Sequence, residues 1–195
     1  FKRYFDFRNA GSNGRYKRSE PISNRLTFPF NSKDYKLAFY DEFDSLDLKK
    51  WQIGQAWGRV HFQHPHQHYS DSAVSIQNGK LFLDNIHEPK SFEYRDSTYK
   101  VPFGVGCINS FHSFSAKYGY FAIRSKNPTG TATWPAFWLT GKYSWPPEID
   151  IFEMYGKCDS TNIHEQTMSL HYGSIEGRTK GSITKNLNLP ENTDK

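Results

Sequence analysis

Cysteine is nearly missing from this chain: Cys107 and Cys158 are the two in 195 residues. That excludes a disulfide-stapled scaffold and any Cys-x-x-Cys metal pair, and leaves one bridge between the two as an open option. Long apolar runs are also missing. None approaches the ~18 residues of a membrane span, so no membrane partner is expected. No apolar leader opens the chain, so a secreted, periplasmic or cell-surface protein, the expected location, would be supplied here in mature form. Helical signal is equally scarce, since no stretch of ten residues or more repeats its apolar side chains at helical spacing.

What the chain does contain points to strands. Aromatics make up 17% of residues, with 14 Gly and 10 Pro as punctuation, a balance that favours β-structure with long loops. The net charge of +5 suggests a nucleic-acid partner until it is located. Lys2, Arg3, Arg8, Arg15, Lys17, Arg18 and Arg25 face only Asp6 and Glu20, so the first 25 residues carry the whole excess. The remainder holds 18 basic and 18 acidic side chains and is neutral. Residues 1–30 therefore read as a basic, aromatic extension, and 31–195 as the body. Packing or disorder suits the extension better than nucleic-acid binding, and no nucleic-acid partner is expected.

Within the body the clearest local signal is "AVSIQNGKLFLD" at 73–84, where two alternating runs flank Asn78-Gly79, the preferred pair for a two-residue hairpin. Further strands are expected at 36–40 ("KLAFY"), around 105–110, at 117–126 ("KYGYFAIRSK"), 133–140 ("TWPAFWLT"), 148–153 and 167–173 ("TMSLHYG"). Such a succession argues for an all-β sandwich. After Gly173 the chain is polar and turn-rich, with at most one weak strand. The sandwich is accordingly expected to be incomplete at its C-terminal end.

"WPPEIDIFEMYG" at 145–156 puts three carboxylates in six residues of an apolar strand, where acids cost free energy unless paired or solvated. Glu148 and Asp150 share a face by alternation, and Glu153 falls on the other. One inserted residue, a β-bulge around Ile151 and Phe152, would restore Glu153 to the first face and make a row. The outer acids would then stand about 13 Å apart along the backbone, at ~3.3 Å per residue. Leaning inward, they could reach the ~5–5.5 Å separation of a retaining glycosidase, in which one carboxylate attacks and the other donates a proton. Two other readings stay open on spacing alone: a solvated strand edge, and a calcium site. Trp134, Ala136 and Trp138 on one face of the preceding strand, with Trp145 nearby, offer flat surfaces suited to sugar rings.

"TATWPAFWLTGKYSWPPEIDIFEMYG" resembles the active-site segment of family 16 of the glycoside hydrolases, with its Trp-Pro-Ala-Phe-Trp strand and Glu-x-Asp-x-x-Glu. "LAFYDEFDSLDLKKWQIG", "NGKLFLD", "KYGYFAIRSK" and "LHYG" follow the family's order over roughly residues 36–173. The resemblance implies a concanavalin A-like jelly-roll whose concave sheet is the substrate cleft. It assigns Glu148 as nucleophile, Asp150 as assisting carboxylate and Glu153 as acid/base, with Arg124, Trp134 and His171 lining the cleft. Trp138, Trp145 and Trp57 join them as candidate sugar-binding residues. The bulged motif resembles laminarinases, agarases, carrageenases and porphyranases; Pro147 replaces the Gly that many members carry before the nucleophile. The activity implied is retaining, endo-acting hydrolysis of a polysaccharide, with β-1,3- or β-1,3-1,4-glucan preferred because the cleft strands hold no basic cluster. An algal galactan hydrolase and a non-catalytic carbohydrate-binding protein are the alternatives. No cofactor is expected to be required, structural calcium is left open, and the complete protein is expected to be a monomer. "HFQHPHQHY" at 61–69 has spacing too irregular for a metal set and is expected to form a cleft-rim loop with Gln55, Trp57 and Tyr69.

Overall fold

The computed structural model describes residues 34–61, 66–128, 130–156, 165–173 and 180–188. It divides into two units, Phe1–Arg124 and Ser125–Lys195. Among the described residues all the regular structure is strand, apart from 3-10 structure at Asp34 and at Asp71–Ala73.

In the first unit, the expected hairpin is present as β3 (Val74–Ile76) and β4 (Leu81–Leu83). Asn78 and Gly79 both take positive φ, 52° and 66°, and Gln77 and Lys80 exchange both backbone hydrogen bonds across the turn. Positive φ at both central residues is what a right-twisted hairpin requires. A longer hairpin follows, β5 (Asn85–Tyr94) and β6 (Ser97–Val105), turning on Arg95 and Asp96, also at positive φ. The sequence reading largely passed over this pair. Pro89 and Pro102 interrupt its alternation, and the register slips beside Pro89, between His87 and Lys90, where proline cannot donate to a ladder. β2 (Gln67–Tyr69) runs parallel to β6, and β1 (Gln52–Ile53) pairs with β7 (Ile108–Asn109).

The core of this unit gathers around Trp51. Phe39 meets its ring edge-on at 5.3 Å and Phe43 stacks on it at 5.8 Å. Asp41 is buried beside them. Its carboxylate accepts from the Trp51 indole (2.9 Å) and the Phe43 amide (2.8 Å), with Lys50 at 3.5 Å. A buried carboxylate needs such partners. The segment 36–40 is held by these side chains and is not a strand, contrary to expectation. Residues 117–126 likewise join no sheet among the described residues. Alternation alone does not make a strand where no neighbour supplies a ladder.

The expected cleft-rim loop is corrected at two of its residues. His68 is buried, bonding the Glu88 carbonyl at 2.8 Å through Nε2, and Gln55 is buried with its amide on Cys107 Sγ at 3.1 Å. Both are interior residues and not rim residues. Burial pushes the Cys107 thiol up to about 12. Cys158 and His64 lie outside the described residues, and with them the question of a bridge.

The second unit is a four-stranded antiparallel meander: β8 (Ala136–Thr140), β9 (Glu148–Glu153), β10 (Glu165–Gly173) and β11 (Lys180–Asn188), in the order β11-β10-β9-β8. β11 is stronger than the one weak strand at most expected after Gly173: its nine residues pair with β10 throughout. The register gives the sheet two unlike faces, because directly opposed residues share a face. One carries Leu139, Ile149, Leu170 and Ile183; the other carries polar side chains and acids.

Candidate active site

β9 holds the three acids, and the bulge lies where parity requires it. Phe152 faces Phe137 and Asp150 faces Trp138, so Ile151 has no partner on β8. On the other side Glu153 faces Thr167 and Asp150 faces Ser169, leaving Met168 opposite two residues. The extra residue turns Glu153 back to the face of Glu148 and Asp150. The same face then carries Thr140, Trp138 and Ala136 from β8, and His171, Ser169 and Thr167 from β10. Ser182, Thr184 and Asn186 of β11 complete it.

Past the end of β9 the chain stays paired with the approach to β8. Met154 N donates to Pro135 O at 3.0 Å and Gly156 N to Thr133 O at 2.8 Å. A side chain at Gly156 would run into the Gly130 carbonyl, so only glycine allows this approach. It sets Trp134 beside Glu153 and Tyr155: the indole donates to Glu153 Oε1 at 2.9 Å and its ring meets that of Tyr155 at 5.3 Å. At the other end Gly141 N bonds Pro147 O at 2.8 Å, closing the loop that carries Trp145. The Trp145 indole donates to Glu148 Oε2 at 3.2 Å, its ring lies 5.8 Å from His171, and Lys180 Nζ sits 5.1 Å from its centre. Each outer acid is thus held by one indole. The middle acid meets His171, whose Nε2 is 3.2 Å from Asp150 Oδ2 and 3.7 Å from Glu148 Oε1.

Together Trp134, Glu148, Asp150, Glu153, Tyr155 and His171 line a cavity of about 580 Å³ whose floor continues through Thr167, Ser169, Thr184 and Asn186, with Glu165 beside them. Crowding carboxylates into it disturbs the ionisation of Asp150 and Glu148. Asp150 is pushed up to about 6, first by burial and then by the charges of Glu153 and Glu148, against the pull of His171. Burial also raises Glu148, and Glu153 adds to the rise; His171 and the Trp145 indole oppose it. Ligand atoms of Glu148, Asp150 and His171 lie within 4.8 Å of one another, close enough to hold one cation.

Of the residues singled out in the sequence, Glu148, Asp150, Glu153, Trp134, Trp145 and His171 are brought together. Trp138 shares the cleft face opposite Asp150 without lining the cavity. Trp57 and Arg124 are exposed residues of the first unit and are not among the lining residues. The sequence reading missed Tyr155, Glu165, Thr167, Ser169, Thr184 and Asn186. Thr167 and Ser169 were within reach of it, being four and two residues before His171 on one strand face.

The family model described as glycosyl hydrolases family 16 matches residues 60–194. The chain belongs to that family. Among curated relatives, glucan endo-1,3-beta-glucosidase A1 of Niallia circulans is 33% identical over 158 residues, 70% of this chain and 22% of the relative. The beta-glucanase of Rhodothermus marinus is 29% identical over 161 residues, 75% of this chain and 53% of its own length. The chain therefore spans well under two thirds of the length of these curated relatives. Among solved structures, LamAcat from Zobellia galactanivorans superposes with a TM-score of 0.61 at 21% identity, covering 84% of this chain and 70% of that one. This likeness carries the fold, the all-β jelly-roll sandwich expected from the sequence.

Proposed function

We propose that this chain carries the catalytic cleft of a retaining, endo-acting glycoside hydrolase that cleaves internal bonds of β-1,3- or β-1,3-1,4-glucan. The observation that carries this reading is the row Glu148–Asp150–Glu153 on one sheet face, its outer members each held by a tryptophan indole. In the first step Glu148 attacks the anomeric carbon, the glycosidic C–O bond breaks, and protonated Glu153 gives its proton to the departing oxygen. In the second, Glu153 takes a proton from water as that water attacks the anomeric carbon and releases Glu148. Asp150, pushed up to about 6, can when protonated donate a hydrogen bond to a neighbouring carboxylate without adding a full charge to the row. Trp145 and Trp134, 52% and 63% exposed, offer ring faces to sugars at the two ends of the acids. The chemistry requires no metal, and a cation held by Glu148, Asp150 and His171 would neutralise the nucleophile.

Reducing-sugar release across a panel of glucans and galactans tests the proposal. Release from laminarin or mixed-linkage glucan is expected, with the first product keeping the β-configuration by NMR. Glu148→Gln should abolish it, lowering turnover by about three orders of magnitude or more, while leaving the circular dichroism spectrum intact. Release only from galactans would move the substrate to the alternative class. No release from any polymer would overturn the enzyme reading and leave a carbohydrate-binding protein.

A further inference from the structure

Binding a sugar chain takes donors as well as acceptors. Sugar hydroxyls can give a proton or take one, but ring and bridging oxygens only take. The cavity is rich in acceptors, with Glu148, Asp150, Glu153 and Glu165 in its lining, and an ionised carboxylate never donates. Side-chain N–H groups are scarcer: Trp134, His171 and Asn186 supply them. Trp134 gives its indole proton to Glu153 at 2.9 Å, and His171 Nε2 faces Asp150 at 3.2 Å. Asn186 is different. Its Oδ1 accepts from the Thr167 hydroxyl at 3.3 Å, which leaves both protons of Nδ2 without an acceptor among the described residues. We infer that Asn186 is a substrate-binding residue, whose Nδ2 donates to an oxygen of a sugar flanking the one under attack.

The sheet fixes where that donor stands. Glu153 faces Thr167 on β10, and Thr167 faces Asn186 on β11, so the three share one rung and one face. At about 4.8 Å per strand spacing, Asn186 stands roughly 10 Å from Glu153 across the sheet. That separation carries it past the reacting anomeric carbon, toward neighbouring units of a chain laid across the strands. Thr167 is buried and Asn186 exposed, so the hydroxyl anchors the amide from below while its nitrogen meets the cavity. The inference rests on the glycosidase reading and adds to it a binding residue outside the acid motif.

Asn186→Asp keeps the shape and the acceptor for Thr167 but replaces the N–H donor; Asn186→Ala removes the whole amide. On laminarin both should raise KM by about fivefold, the loss of one hydrogen bond, with kcat and melting temperature unchanged. Calorimetric titration of a β-1,3-linked glucose oligosaccharide into each variant, built on Glu148→Gln to prevent turnover, should show the same loss in Kd. An Asn186→Asp variant that matches wild type would mean that no donor is needed there and would overturn the inference. Loss in Asn186→Asp alone would overturn it too, as repulsion by the new charge. So would a fall in kcat at unchanged KM or a lower melting temperature, which would assign the residue to the chemistry or to the fold. A wild type that binds the oligosaccharide and cleaves no polymer removes the hydrolase reading alone, and the calorimetric comparison still decides Asn186. Neither binding nor cleavage overturns both.

Discussion

Asp150 shows how much of the site's character is fixed by a single side chain. It is 4% exposed and stands between two other carboxylates, with His171 as its counterpart at 3.2 Å. Its folded pKa of about 6 lies above the unfolded value of ~3.9. Between those two values the folded state binds more protons than the unfolded state, so stability falls as pH rises through the window. Above it, the ionised group is a standing cost. Asp150→Asn removes that cost while preserving shape and an acceptor for His171. The variant should melt with wild type near pH 4 and above it near pH 8, by about 1–3 kcal/mol, while losing glucan hydrolysis. Thermal melts at the two pH values check this; an equal gap at both would show that charge is not the cause. The acid row itself was legible in the sequence because three carboxylates in an apolar strand have few structural explanations. Tyr155 was not, since one tyrosine after a strand is unremarkable until its ring is seen against Trp134.

The bulge in β9 was equally legible, and for a reason that does not depend on resemblance. Two acids at even spacing and a third at odd spacing can share a face only if one residue drops out of register. The residue that does so is Ile151. Deleting it should restore a regular strand in which the three acids, now at even spacing, still share one face, so hydrolysis should persist. Inserting one further residue beside it should send Glu153 to the opposite face and bring hydrolysis below detection, with the β-type circular dichroism spectrum retained. Ile151→Val keeps the residue count and should stay within a few-fold of wild type. If the insertion variant remained active, parity would not govern the site. β11 was hidden by the same two-faced logic. Its cleft side bears Ser182, Thr184 and Asn186 where a search for strands looks for apolar residues. What holds it is the main-chain ladder to β10, helped by Ser169–Thr184 and Thr167–Asn186 contacts at 3.2 and 3.3 Å. The errors at 36–40 and 117–126 run the other way: apolar alternation was present and the ladder was not.

At the scale of the whole molecule, charge is partitioned. The excess of +5 resides in residues 1–25 and the rest is neutral, so a neutral glucan should feel no long-range field from the body. Removing residues 1–25 should shift the isoelectric point from about 9.1 toward neutrality and leave the KM for laminarin unchanged from low to physiological ionic strength. A KM that rises with salt would reveal a charged contact with the substrate. The meander of the second unit has a different kind of consequence, one of timing. Each of its four strands pairs with its neighbour in the chain, so every ladder closes a short loop and none waits for a distant segment. Folding rate rises as contacts become more local. The acids on β9 and the polar floor on β10 and β11 can therefore meet early, as one cooperative block, and in pulsed hydrogen exchange their amides should gain protection together.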